Sequence, residues 1–319
     1  MPEAGGGVFD AGEGFFPIGP HSTLRLSVPP PSTSRLAYAA FIAVCLLWGT
    51  TYLAIRISLD TIPPMLMAGF RWTVAGALIV SVLKARGADI PRSSHWPALT
   101  VLGVLLMGFG NGAVVWAEQT VPSGLTAVLV AAIPFWMVGV ERCFGASDHL
   151  SPRRIAGLVL GFGGIVLLVW PELGLDRDQT LLPGVIATQL ACLGWAIGSS
   201  YSRRRHADEN VFAAAALQML FGGIVLILVG LVHGEWATLG FTPRTAGALV
   251  YLILFGSIAG FSAYAYALKH LPVTIVSLYA YVNPVIAVLL GTLLLGEPLS
   301  PRLALAGAIV LAGMALVRR

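Results

Sequence analysis

The residues of this chain that could do chemistry stand inside long apolar runs, where each needs a reason to be there. Arg71, in "MAGFRWTVAG", lies about seven residues, roughly 10 Å of helix, from the nearer end of such a run. An arginine at that depth costs on the order of 2.5–3.5 kcal/mol on insertion scales, so it faces a cavity or a partner. One reading makes Arg71 a cavity cation that attracts a carboxylate. The other has it snorkel to the surface or pair with a structural acid. Glu118, at the end of the following run, is the protonatable group nearest to such a cavity, and Asn111, seven residues earlier, shares its helical face. Proton coupling through Glu118 stands against a solvated helix-end carboxylate or a partner for Arg71. Glu141 and Arg142 are sequence neighbours, point apart on a helix and read as interfacial.

Aromatic residues recur at helical spacing near these groups. Trp48 and Tyr52 share one face, Trp195 and Ser199 another, and Trp116, Tyr264 and Tyr266 add further rings. Such rings offer apolar walls with one polar handle and hold cations on their faces. For Trp116 and Tyr266, near helix ends, a bilayer-interface position is the stronger reading. For Trp48 and Trp195 it is the cavity or packing between halves. Asn283-Pro284 places a proline within a helix, which removes one backbone bond and opens a kink. Pro134 stands 150 residues earlier. Paired kinks suit a hinge, with Tyr279 one turn before Asn283, although membrane helices also carry prolines as ordinary bends.

Other chemistries are missing. Six histidines and three cysteines (Cys45, Cys143, Cys192) show no metal-ligand spacing and no disulfide framework. No glycine-rich phosphate cradle with Lys-Ser/Thr occurs. No catalytic, cofactor or metal site is expected, and the chain reads as no enzyme. A polytopic membrane enzyme would need acids, histidines or cysteines clustered at one depth. A non-transporting scaffold would usually carry a folded soluble domain.

The elements that must position these residues follow from composition. Apolar residues make up 57% and charged residues 11% of 319, where soluble domains carry about 25% charged residues. Mean hydropathy is +0.84. Residues 1–34, rich in Gly, Pro and Ser, read as a disordered tail. Beyond them come ten runs, near 36–55, 64–83, 96–117, 122–141, 153–170, 181–201, 211–232, 246–268, 272–294 and 302–317. Each is long enough to cross about 30 Å of hydrocarbon as a helix. Pro122 and Pro272 fit first-turn positions. The expected fold is an all-α integral membrane bundle.

With the N-terminus in the cytoplasm, the inner connections receive fourteen of the nineteen Lys and Arg residues, including the Arg203–Arg205 run. The outer ones receive four: Arg56, Arg177, Arg244 and Arg302. Both termini are therefore expected in the cytoplasm, the chain lying multi-pass in the inner or plasma membrane. The pI near 9.1 and charge of +4 need no nucleic-acid partner to explain them.

The chain also repeats itself. "CLLWGTTYLAIR" (45–56) matches "CLGWAIGSSYSR" (192–203), "SDHLSPR" (147–153) matches "GEPLSPR" (296–302), and Pro122, Pro134 and Gly157 recur as Pro272, Pro284 and Gly307. Arg71 meets Gln218 in the same register. Runs one to five (36–170) are thus copied as six to ten (181–317). Because five is odd, the copies cross the bilayer in opposite directions, an arrangement found in secondary transporters. Gly108-x-x-x-Gly112 and Gly157-x-x-x-Gly161 read as helix-packing motifs, with a dimer surface on the fifth or tenth run as the lesser alternative.

"LLWGTTYLA", "CLGWAIGSSYSRR", "AAIPFW" and "YVNPVIAVLLGTLLLGEPLS", together with glycine-rich fifth and tenth runs, resemble the EamA-type branch of the drug/metabolite transporter superfamily. The resemblance covers about 36–317. It implies a central cavity walled by the spans before the last of each repeat. It also implies transport, often export, of small metabolites such as amino acids. Expected partners are a small-molecule substrate, the lipid bilayer, protons if Glu118 couples them, and a second copy if the chain dimerises. One departure stands out: Gly296-Glu297 of the second copy is Ser147-Asp148 in the first, so the two gates need not behave alike.

Overall fold

The computed structural model describes residues 31–144, 151–169, 181–205, 210–271, 273–276 and 278–318. Most of the 1–34 tail, Ser147-Asp148, Arg177 and Pro272 lie outside them. Every regular element among the described residues is helical. The first half contains α1 (Pro31–Gly49), α2 (Thr51–Ser58), α3 (Pro64–Ala85), α4 (Trp96–Gly103), α5 (Ala113–Ala117), α6 (Ser123–Val130), α7 (Ile133–Cys143) and α8 (Pro152–Val169). The second contains α9 (Leu182–Arg204), α10 (Val211–Val232), α11 (Pro243–Tyr251), α12 (Gly260–His270), α13 (Val273–Val276), α14 (Tyr279–Leu295) and α15 (Pro301–Arg318). Among the described residues, seven helical stretches are long and apolar enough to cross a membrane. Ile155–Leu167, Tyr279–Leu295 and Pro301–Leu316 are shorter apolar helices.

Several runs are not uniform helices. The first bends at Thr50, where the Thr50 and Thr51 hydroxyls donate to the carbonyls of Leu47 (2.8 Å) and Trp48 (2.6 Å), a competition that bends helices. The third and eighth run through π-helical segments, Val104–Gly112 and Leu252–Ala259, a wider winding frequent at functional sites. The fourth breaks at Ala131–Ala132, and Pro134 falls in the first turn of α7. Pro134 is therefore no interior kink. Of the two, Pro284 lies inside its helix, α14, so the expected matching pair becomes an interior proline in one copy and a helix break in the other.

The packing is close where small residues meet. α3 lies along α10, and a Cβ at Gly76 would stand 2.5 Å from the Leu220 nitrogen. α8 lies along α15, with Gly313 against Gly157 and Gly161. The second glycine motif is thus occupied within the chain. The two larger apolar cores lie around Ile55, Met67, Trp72 and Leu252 and around Val128, Phe135, Val310 and Met314.

One end of the bundle is tied together by its connections. Arg56 Nη1 donates to the Glu118 and Gln119 carbonyls. Gly240 N donates to Thr61 O at 3.0 Å, and Thr61 and Thr245 share a hydrogen bond of 2.8 Å. Glu235 accepts from Met65 N and Leu66 N, and Glu297 from Ser123 N and Gly124 N. Elsewhere Arg204 pairs with Glu141 at 3.1 Å and lies over the Phe144 ring. Glu141 therefore has an ionic partner in Arg204.

Candidate functional site

The interior polar groups come from helices of both halves. Arg71 is 3% exposed. Its Nε donates to Ser257 Oγ at 2.9 Å, its guanidinium carbon lies 4.4 Å from the centre of the Trp72 ring, and Nη1 has no hydrogen-bond partner. Arg71 does not snorkel: it is held inside by a hydroxyl of the π-helical segment and by an aromatic face. Trp72 Nε1 donates to Asn111 Oδ1 at 3.0 Å, which ties α3 to the other π-helical segment.

Glu118 departs from its expected solvated position. It is fully buried, and neither carboxyl oxygen has a hydrogen-bond donor. Arg56 grips its backbone carbonyl, not its side chain. Arg71, Arg56, Tyr52 and Glu297 all act on the carboxyl electrostatically, yet none of them bonds it. An ionised carboxylate without donors is expensive to bury, by several kcal/mol even after relaxation.

Aromatic residues form the neighbouring wall. Trp48 Nε1 donates to Gly256 O at 3.1 Å, and its ring meets Phe261, Tyr264 and Tyr279 with centroids 5.0–5.2 Å apart. Tyr52, one turn further along, faces Arg71, Glu118, Cys192 and Tyr279 electrostatically. Trp195 mirrors Trp48: Trp195 packs on Gly110 of the first π-helical segment, and Trp48 packs on Gly260 just after the second. Asn283 is buried on α14. With its amide set to satisfy both groups, its nitrogen donates to the carbonyls of Cys45 and Tyr279 at 3.1 Å.

The structure thus gathers Trp48, Tyr52, Arg71, Asn111, Glu118, Tyr264, Tyr279 and Asn283 around the meeting of α1, α2, α3, the π-helical segments and α14. Ser199 and Gln218 are half-buried on α9 and α10 without a bond to this cluster. Tyr266 stacks on His270 at 4.2 Å. Trp116, 40% exposed, lines a cleft of about 640 Å³ with Asp60, Met65, Gln119, His233 and Glu235. That cleft touches neither Arg71 nor Glu118. Sequence reasoning missed Ser257 and Arg56. Ser257 sits in a glycine-flanked stretch, "FGSIAG", whose winding carries no sequence signature, and Arg56 reads only as a connecting charge. Among the described residues no group of three or more His, Cys, Asp or Glu could hold a metal.

The model of the EamA-like transporter family matches residues 35–170 and again 182–319. The uncharacterized inner membrane transporter YedA of Escherichia coli (strain K12) is 37% identical over 269 residues, 82% of this chain and 84% of YedA. The uncharacterized transporter YoaV of Bacillus subtilis (strain 168) is 23% identical over 86% of this chain and 93% of its own length. A solved crystal structure with a TM-score of 0.60 and 23% identity covers 88% of this chain and 95% of that one, a likeness of fold. Two matches that together span almost all of the chain outside its first 34 residues, and a relative above one-third identity, lead to one conclusion: the chain belongs to the EamA-like transporter family.

Proposed function

We propose that the chain is a secondary transporter of the inner membrane, with ten spans in two inverted five-span repeats and both termini in the cytoplasm. It exports small metabolites such as amino acids by alternating access. Several pairings support this layout. α3 packs on its counterpart α10 and α8 on its counterpart α15, as elements related by a two-fold axis in the membrane plane would. The contact of α1 with α12 is matched by that of α9 with the first π-helical segment. Among the described residues, four connections that alternation assigns to the outer face are bonded to one another in pairs. The relative named an inner membrane transporter supports the location.

The observation that carries the substrate reading is Arg71: buried, oriented by Ser257 and Trp72, with one guanidinium nitrogen left without a partner. A carboxylate of the substrate satisfies it with a charge-assisted hydrogen bond. The aromatic wall of Trp48, Tyr264 and Tyr279 takes the apolar part. The test is counterflow in proteoliposomes loaded with labelled amino acids, where saturation separates a carrier from a channel. Arg71→Gln is expected to cut counterflow of anionic and zwitterionic substrates about tenfold or more, the loss of one charged hydrogen bond, and to spare neutral ones. Equal loss for both in folded protein would remove Arg71 from substrate recognition.

A further inference from the structure

The two halves are joined at one end by a carboxylate. Glu297 follows α14, where Gly296 turns the chain at φ 67° and Glu297 N returns to Gly291 O at 3.1 Å. Its carboxylate oxygens accept from Ser123 N at 2.8 Å and Gly124 N at 3.0 Å, the first two amides of α6 in the other half. These are charge-assisted bonds on the positive end of a helix. A side chain at Gly291 would overlap both the Glu297 carboxylate and the Ser123 hydroxyl. α6 has no side-chain cap of its own, so its first amides depend on a residue about 170 positions away.

Glu118, five residues before Ser123 and acted on electrostatically by Glu297, is wholly buried with both oxygens unbonded, and Ser123 Oγ is buried and unbonded as well. The charged and titratable groups that face Glu118 are Arg56 and Tyr52 of α2, Arg71 of α3 and Glu297. α9, packed on α5, adds Cys192, which faces Tyr52. Arg56 spends its bonds on two backbone carbonyls, and Arg71 spends one on Ser257.

We propose that Glu297 is a latch that closes this end of the pathway by capping α6, and that closing it loads the buried Glu118 carboxyl with one proton. With the latch closed, an ionised Glu118 has no donor and faces a second carboxylate, so the neutral acid is the form that fits. With the latch open, water reaches Glu118 and solvates its charge, and the proton leaves to that side. The proton arrives from the aqueous phase on this side as hydronium: one of its O–H bonds breaks, an O–H bond forms on Glu118, and water is left behind. The closed form therefore binds one more proton than the open form. Acid on this side favours closure and alkali favours opening, by up to about tenfold in the equilibrium per pH unit.

This inference rests on the alternating-access reading, but its test needs no substrate, so its failure leaves the Arg71 assignment standing. Val121, fully buried between Glu118 and α6, is replaced by cysteine in full-length protein carrying Cys143→Ser, in proteoliposomes. Labelling by an impermeant maleimide is measured from pH 6 to 8, relative to Thr120→Cys, an exposed neighbour that corrects for thiol ionisation. The ratio is expected to rise with pH. Glu118→Gln holds it low and flat, and Glu297→Gln raises it at both extremes. A flat ratio in the otherwise native chain, or an unchanged response in Glu118→Gln, overturns the proposal. If Glu118→Gln does not assemble, dicyclohexylcarbodiimide, which attacks protonated carboxyls, is mapped on the native chain by peptide mass. More modification of Glu118 at pH 6 than at pH 8 supports the proposal; equal modification overturns it.

Discussion

Two carboxylates in this molecule do the same local job with different consequences. Both α3 and α6 start directly after a proline, Pro63 and Pro122, and neither has a side-chain cap from its own N-cap residue. Glu235 supplies the acceptors for α3, to Leu66 N at 2.9 Å and Met65 N at 3.2 Å, as Glu297 does for α6. Yet Glu235 follows α10, which is packed along α3, so its two ends move as one body. Glu297 likewise joins the two halves, tying the end of α14 to α6, but across a less extensive helix contact than that of α3 with α10. Glu235→Ala is accordingly expected to lower stability by about 1–2 kcal/mol, the worth of a helix cap with a charge at the positive end. The thermal unfolding midpoint in detergent reads this as a drop of a few degrees, with counterflow rates unchanged. A changed rate at equal stability would make Glu235 part of the moving machinery.

At the scale of elements, the π-helical segments and the tryptophans that rest on them fix how the halves meet. A Cβ at Gly260 would stand 2.5 Å from Trp48 Nε1, the atom that bonds Gly256 O. Gly260→Ala is therefore expected to push Trp48 out of its place at a cost of about 1–3 kcal/mol and to slow counterflow. Gly139→Ala, where no atom lies within 4 Å of the new methyl group, serves as the neutral control under the same unfolding measurement. Positions of this kind explain what the sequence made legible. The seven long apolar helices could be read because bilayer thickness imposes a length and an apolar composition that need no knowledge of neighbours. Arg71 could be read because a charge in such a run is costly wherever it points. Its partner Ser257 lies 186 residues away and could not be. Nor could the burial of Glu118, since helix-end acids are ordinarily wet and this one is enclosed by tertiary contacts. The break at Ala131–Ala132, in place of a kink at Pro134, likewise reflects a choice of backbone bonding that residue types leave open.

For the whole molecule, alternating access requires that exchanging the shapes of the two halves moves the opening from one membrane face to the other. That exchange has meaning only if equivalent parts of the two repeats face opposite compartments. Ser151 begins the approach to α8 and Ser300 the approach to α15, in the matched sequences "LSPR" of the two copies. Ser300 belongs to the connection that carries Glu297, at the end where Arg56, Glu118 and Ser123 meet. Ser151 belongs to the connection after α7, whose Glu141 pairs with Arg204. The proposed orientation puts the side of Ser151, where the basic residues gather, in the cytoplasm. In a Cys143→Ser background, Ser300→Cys is therefore expected to react with an impermeant maleimide added to intact cells, while Ser151→Cys reacts only after the membrane is permeabilised. Reaction of both cysteines from the same side would place the two repeats in the same orientation. The half-exchange on which both the Arg71 substrate site and the Glu297 latch depend would then have no symmetry to work with.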